Sequence, residues 1–285
     1  MNPQQLQQFV RDVQNAFNQV GQQMSFNAQA NNRQLVGMRR RLYGLDARGM
    51  MSDKGLTPRY PIEFRAQFNE DCMVYDLFNR ATDGYFIEVG AFDGYDFSVS
   101  YVLECLGWTG LLIEGIPERA EACRARRKHA RTVHSALGRR GAPATTEFTV
   151  VADQYGGMLS FNTTDEVTKQ NMAKSQTASR KVTVPQTTMD ALLEADAELA
   201  KRGGEVDLAS IDVEGGELDL LDGFDLKKWR PKVLMLEENH NHTDASPLAQ
   251  YMKGQDYAFV GWLEVNRVYV RNDLASWRER MKSSW

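Results

Sequence analysis

The chemistry of this chain is concentrated in carboxylates that follow short apolar runs. Ser210-Ile211 leads into Asp212, Glu214 and Glu217, with Val213, Gly215 and Gly216 between them. Carboxylates this close repel one another, so a cation, a substrate or a proton is expected between them. A second polar cluster, Glu237-Glu238-Asn239-His240-Asn241-His242, follows the apolar Val233-Leu234-Met235-Leu236. Another acid, Glu114, ends the run Leu111-Leu112-Ile113. Upstream of it, Glu88-Val89-Gly90-Ala91-Phe92-Asp93-Gly94 joins an apolar run to two spaced glycines. Glycine at such a point lets the backbone turn tightly and lets a ligand approach the main chain.

The glycine spacing excludes two common ligand types. It is not the G-x-G-x-x-G of a dinucleotide site, and no lysine follows as a phosphate-binding loop requires. A ligand without phosphates is favoured, and S-adenosylmethionine (SAM) meets that condition. Glu88, Gly90, Asp93 and Gly94 are then expected around its methionine end. Glu114 is placed to accept hydrogen bonds from both ribose hydroxyls. Small residues Ser135 and Ala136, in His134-Ser135-Ala136-Leu137-Gly138, would leave room for an adenine ring. Asp212 and Glu214 fall on one side of the chain if the strand before them continues.

These residues need a scaffold that brings them to one edge. Buried strands are expected at Tyr85–Val89, Thr109–Ile113, Thr132–Ala136, Val206–Ile211 and Val233–Glu237, with a further strand at Glu147–Val151. Helices are expected at Gln67–Asn79, Ser98–Leu106, Pro117–His129 and Thr188–Leu199. Ala258–Val260 and Arg267–Val270 suggest a terminal antiparallel pair. Asp153–Lys181 is polar and lacks a clear period, a pattern common in functional or mobile loops. Alternating strands and helices imply a parallel sheet covered on both faces, with ligand beyond the carboxyl ends of the strands.

Residues 1–50 have a different character, rich in Gln and Asn. Leu6, Val10, Val13, Phe17, Val20 and Met24 follow the alternating three- and four-residue steps of a coiled coil. The pattern resumes from Ala28 through Asn31, Leu35, Met38, Leu42 and Leu45 after one extra step of four, a stutter. This predicts an N-terminal helix closing near Gly44 or Gly49. It either joins copies of the chain into a homo-oligomer through residues 1–45 or lies on its own domain. Arg39-Arg40-Arg41 reads as a solvated face, with polyanion binding as the sharper alternative. Residues 51–62 read as a linker and residues 63–285 as the main domain.

Composition narrows the class. Of 285 residues, 42% are hydrophobic and 25% charged, which suits a folded globular chain. The net charge of -4 disfavours nucleic acid as a partner. No apolar run approaches a membrane span. The N-terminus lacks the basic and apolar segments of a secretory signal, so a cytoplasmic protein is expected. Cys72, Cys105 and Cys123 lack metal-ligand spacing and read as reduced thiols.

Taken in order, the motifs resemble the FkbM family of SAM-dependent methyltransferases. The matching segments are Gln67-Phe68-Asn69-Glu70-Asp71, Phe86–Gly94, Gly107–Glu114, Thr188-Met189-Asp190-Ala191-Leu192, Asp207–Gly216 with Glu217-Leu218, and Arg230-Pro231-Lys232-Val233. The likeness runs from about residue 63 to 262. It implies a Rossmann-like class I methyltransferase of the α/β class. Its sheet would be seven-stranded and mostly parallel, ordered 3-2-1-4-5-7-6 with strand seven antiparallel and helices on both faces, and the N-terminal helix stands outside it. It also implies methyl transfer to a hydroxyl of a sugar, glycan or natural product. Glu114-Gly115-Ile116-Pro117 departs from the family's usual E-P-N-P, and Asn162–Ser179 reads as a local elaboration.

For that reaction Glu214 is the expected general base, with Asp212 holding the methionine amino end, the substrate or a cation. His240 or His242 could take over as base or ligand. A resemblance to TylF-type sugar O-methyltransferases suggests a second version, in which Asp212, Glu237 and Glu238 hold magnesium and Glu214 stays free. The metal-free version is favoured, since those enzymes carry aspartates at the second cluster. Two other classes remain open: a nicotinamide-dependent oxidoreductase on the same kind of sheet, and a non-catalytic interaction module.

Overall fold

The computed structural model describes residues 31–151, 179–238, 243–274 and 276–277. Its centre is a seven-stranded sheet. The strands are β1 (Tyr85–Val89), β2 (Thr109–Glu114), β3 (Ala130–His134), β7 (Leu208–Ile211), β8 (Val233–Glu237), β9 (Tyr257–Leu263) and β10 (Asn266–Arg271). Their order is β3-β2-β1-β7-β8-β10-β9. The sheet is mixed. Pairs β1·β2, β1·β7, β2·β3 and β7·β8 are parallel. β10 runs antiparallel to both β8 and β9.

Two apolar faces explain why helices cover both sides. In β1, Phe86 packs into one core cluster with Leu112, Leu208, Met235 and Val268. Tyr85, Ile87 and Val89 point the opposite way, with Leu111, Ile113, Ala209 and Leu234. The period of two along each strand makes this division. On the first face lie α1 (31–53), α2 (Glu70–Leu77) and α3 (Tyr101–Leu106), joined by Cys123 of α4 (Pro117–Arg126). On the second lie α5 (Met189–Glu194), α6 (Ala197–Lys201), α7 (Glu217–Asp222), α8 (Leu226–Trp229) and α9 (Pro247–Lys253). Among the described residues no helix is long and apolar enough to cross a membrane. The three cysteines are buried and unpaired.

A smaller sheet was not legible in the sequence beyond one strand. β4 (Ala136–Leu137), β6 (Ser179–Thr187) and β5 (Thr145–Val151) form it, with β6 central. β6 begins inside the stretch read as an irregular polar segment. β5 and β6 pair antiparallel from Thr145↔Pro185 to Val151↔Ser179. Residues 152–178, which include the expected elaboration, lie outside the described residues.

Several element ends differ from expectation for local reasons. α1 does not stop at Gly44 or Gly49 but continues to residue 53. It closes at Gly55, which has φ 64°. The Leu56 N–H donates to the Met51 carbonyl (2.8 Å) and the Gly55 N–H to the Ser52 carbonyl (2.9 Å). That is a Schellman closure, which needs a left-handed residue and so selects glycine. Ala47, Met51 and Ile62 join the core with Phe64 and Met73, so packed structure crosses the expected linker at 51–62. α3 begins at Tyr101 rather than Ser98; the preceding Ser98 and Ser100 hydroxyls and the Val99 N–H donate to Glu88. The helix expected over Thr188–Leu199 breaks in two where Asp196 caps α6 by accepting from the Leu199 N–H (2.9 Å).

Candidate active site

Register brings the expected acids to one rim. Val89 pairs with both Ile113 and Ile211, and Ile211 pairs with Leu236. The residues that follow are therefore neighbours: Gly90, Glu114, Asp212 and Glu237. The turn after β1 depends on glycine at position 90. Gly90 has φ 77°, and a Cβ there would sit 2.0 Å from the Asp212 carbonyl oxygen. No side chain can be accommodated against a main-chain atom at that distance. The Gly90 and Ala91 N–H groups both donate to the Ile113 carbonyl (3.0 and 3.2 Å), which fixes the turn to β2.

Beyond this rim opens a cleft of about 320 Å³. Glu88, Gly90, Glu114, Ser135, Ala136, Asp212, Glu214 and Glu237 all line it. Asp93 and Gly94, expected around the same ligand, are not among its lining residues. Asp93 Oδ1 accepts from the Tyr95 and Asp96 N–H groups (2.9 and 2.8 Å), and its other oxygen pairs with Arg126. A Cβ on Gly94 would press on Arg127 and Cys123. Both residues shape the loop from behind.

Glu88 also has a positioning role. Its carboxylate accepts from the Ser98 hydroxyl (2.8 Å), the Val99 N–H (2.7 Å) and the Ser100 hydroxyl. Arg127, within the helix expected over Pro117–His129, is 1% exposed and completes this clamp. It donates to Glu104 (2.5 Å), the Gly94 carbonyl (2.9 Å), Ser98 (3.2 Å) and both Ser100 oxygens (3.1 and 2.9 Å). Glu88 and Arg127 thereby hold residues 94–100, of which Asp96, Phe97, Ser98 and Val99 face the cleft.

On the β2–β3 side, Glu114 is 5% exposed. One of its oxygens accepts from the Phe92 N–H (2.9 Å) and the other from the Ile116 N–H (2.8 Å). Burial pushes its acid constant up to about 7 against those donors and Arg119. The Ser135 hydroxyl turns inward, with the Ala136 and Pro185 carbonyls as alternative acceptors for its one proton (2.8 and 3.1 Å), leaving a small wall. Phe148 of β5 closes this end, and a Cβ on Gly115 would meet its ring at 2.8 Å. Arg119 lies over the Phe92 ring at 4.3 Å. Sequence reasoning missed Phe148, Gln186 and Arg119, because a lone aromatic on a threonine-rich strand and an arginine on a charged helix carry no distinguishing signal.

On the β7–β8 side, Asp212 and Glu214 do meet, though not by strand alternation. β7 ends at Ile211, and the chain turns with Glu214 at φ 54° and Gly215 at φ 99°. A non-glycine residue held left-handed carries strain that persists only where its surroundings fix it, often at functional sites. Asp212, Glu214 and Glu237 each offer a carboxylate oxygen within 4.8 Å of the others. Burial, then Glu237 and Glu217, pushes Glu214 up to about 8. Glu217, buried at the start of α7 and accepting from the Val213 and Gly215 N–H groups, is pushed up to about 7, again chiefly by burial. Asp212 is open to solvent in the cleft yet hemmed in by protein, and its acid constant is raised by burial and by the charges of Glu214, Glu217 and Glu70. A hydrogen bond with Glu237 opposes that rise. Glu70 of α2, missed as a site residue, faces the same cleft, accepts from Asn266 (3.0 Å), and is pushed up to about 7 by burial.

Glu238 does not join this cluster. It forms an ion pair with Arg267, and both side chains are almost wholly buried. The expected trio of Asp212, Glu237 and Glu238 is thus replaced by Asp212, Glu214 and Glu237. His240 and His242 lie outside the described residues. Among the described residues lining the cleft, Arg119 is the single cation against eight carboxylates. Such a field favours a cationic or neutral ligand and opposes a pyrophosphate.

Comparison with known sequences adds one finding. The family model described as the methyltransferase FkbM domain matches residues 88–259, more than half of the chain, from the acid of the glycine turn to β9. No curated protein and no solved structure matches the chain.

Proposed function

Because the chain belongs to the FkbM-domain methyltransferases, we propose that its cleft binds SAM and transfers the methyl group to a hydroxyl oxygen. The adenosine end would lie between Phe148, Ile116 and Ala136, with Glu114 accepting from the ribose hydroxyls. The methionine end would approach the main chain at Gly90, with Asp212 receiving its ammonium group. The acceptor would enter from the side of Glu70, Glu214 and Glu237. Supporting this reading, the cleft is acidic where SAM carries a sulfonium and an ammonium charge. The same field counts against a nicotinamide dinucleotide.

Methyl transfer is an in-line displacement. The acceptor oxygen bonds to the methyl carbon as the carbon–sulfur bond breaks, leaving a neutral thioether. The acceptor proton passes to a carboxylate. Glu214 is the proposed base, and the observation that carries this is its left-handed backbone at the cleft beside two further acids, with an acid constant near 8. A base of that strength is matched to neutral pH. A natural acceptor would be a sugar, a glycan or another polyhydroxylated product.

A second reading is favoured by the convergence of Asp212, Glu214 and Glu237. Three hard oxygen donors suit a magnesium-class ion, which would lower the acceptor hydroxyl's pKa when bound. In that reading Glu214 is a ligand and not the base. Calorimetry with SAM and with NAD, followed by methyl transfer with and without a chelator, tests both readings. SAM binding with activity that survives chelation supports the base reading. Activity abolished by chelation and restored by magnesium supports the cation reading. Binding of NAD and not of SAM contradicts both.

A further inference from the structure

Among the described residues, four of the exposed large apolar side chains lie on α1. Leu35, Met38, Leu42 and Leu45 are 63%, 58%, 64% and 62% exposed. Their spacing of three, four and three places them in one stripe along the helix. The opposite face of the same helix is occupied by its own domain. Ala47 and Met51 are buried there, Arg40 donates to the Ala66 carbonyl, and Tyr43 donates to Asp76. At about 100° per residue, the stripe lies on the far side of the helix from these contacts. The domain therefore cannot cover it.

We propose that this stripe pairs with the same stripe on a second copy of the chain, the two helices parallel and in register. A single leucine at a surface needs no partner, but four at heptad spacing form a seam that only another helix fills well. The sequence of residues 1–30 supports a copy rather than an unlike partner. It repeats the spacing at Leu6, Val10, Val13, Phe17, Val20 and Met24, and its side chains include one arginine and one aspartate, so identical segments do not repel. A fold-back of that segment onto the stripe requires a reversal, yet neither glycine nor proline occurs from Gln22 to Val36. Parallel register is favoured by Asn31. It sets Asn31, at a core position of the repeat, against Asn31 of the second copy, where each amide satisfies the other. Each catalytic domain then sits on the outer side of the helix pair, with its cleft free.

Sedimentation of the full chain tests the proposal. The wild-type chain is expected to be a dimer at micromolar concentration. A chain carrying Leu35→Glu and Leu42→Glu is expected to be monomeric, its dissociation constant weaker by about a hundredfold or more. Its folded content should be retained in circular dichroism, because both positions are exposed. Asn31→Cys should crosslink two chains on oxidation, since Cys72, Cys105 and Cys123 are buried. A monomeric wild-type chain overturns the proposal, whether or not residues 1–30 then resist protease as a fold-back would. So does a double variant that remains dimeric. Failure of Asn31→Cys to crosslink a dimer overturns the parallel register.

Discussion

Replacing Arg127 by Met removes a guanidinium that holds the floor of the cleft. The side chain is enclosed and serves Glu104, Gly94, Ser98 and Ser100 directly, with Glu88 3.8 Å away. Methionine keeps most of the volume, so the main loss is the charge and its donors. Glu104 is then left as a buried carboxylate with the Tyr60 hydroxyl (3.0 Å) and the His129 N–H (2.9 Å) as remaining donors. Breaking one side of a buried ion pair costs about 3–5 kcal/mol. Those two donors keep the expected cost near the lower bound, about 3 kcal/mol. Urea unfolding at pH 7.5 followed by tryptophan fluorescence measures it. Adding Glu104→Gln to the same chain removes the stranded charge and should restore about 1–2 kcal/mol, a coupling typical of residues in contact. SAM affinity should fall with the single variant, because residues 96–99 lose their anchor. A cost below about 1 kcal/mol with no coupling to Glu104 would refute the clamp.

Three further outcomes follow from the geometry. Gly90→Ala should abolish SAM binding in calorimetry, since its Cβ collides with the Asp212 carbonyl at 2.0 Å; retained affinity would mean the turn can open at little cost. Glu114→Ala should weaken SAM binding by about 1.5–3 kcal/mol for each charge-assisted hydrogen bond lost, and an unchanged affinity would remove Glu114 from the ribose role. Glu70, Glu114 and Glu217 have folded acid constants near 7, above their ordinary value of 4.5. The folded state therefore binds protons more tightly, and stability falls as pH rises from about 4.5 through 7. Ligand-free protein should melt at a lower temperature at pH 8 than at pH 5.5, and a melting temperature that rises across that window would contradict these shifts.

The sheet was legible because its strands are apolar runs that end abruptly in glycine or acid. Tyr85–Val89 and Val233–Glu237 match expectation at both ends. The rim followed from them, since Gly90, Glu114 and Asp212 each come directly after a run. What failed was side-chain direction. Nothing in the sequence distinguishes Glu237, which turns into the cleft, from Glu238, which turns to Arg267. Arg127 reads as one more charge after Arg124 and Arg126, and only its burial marks it. β6 was missed because most of its residues are polar, with Val182 and Val184 as its only large apolar side chains and Val184 alone buried. The steps from Asn31 to Leu45 fall on α1, but their opposition to the domain-facing side becomes apparent only once that helix is seated.

The account turns on one measurement: release of thioether product from SAM, with a panel of sugars, glycans and phenols as acceptors, by the wild-type chain and by Glu214→Gln. Glutamine keeps the size and hydrogen bonding of Glu214 but cannot take the proton. The account predicts acceptor-dependent turnover in the wild type that rises with pH toward 8, and a fall of about 10²–10⁴-fold in the variant with SAM affinity preserved. Undiminished turnover in Glu214→Gln would contradict it.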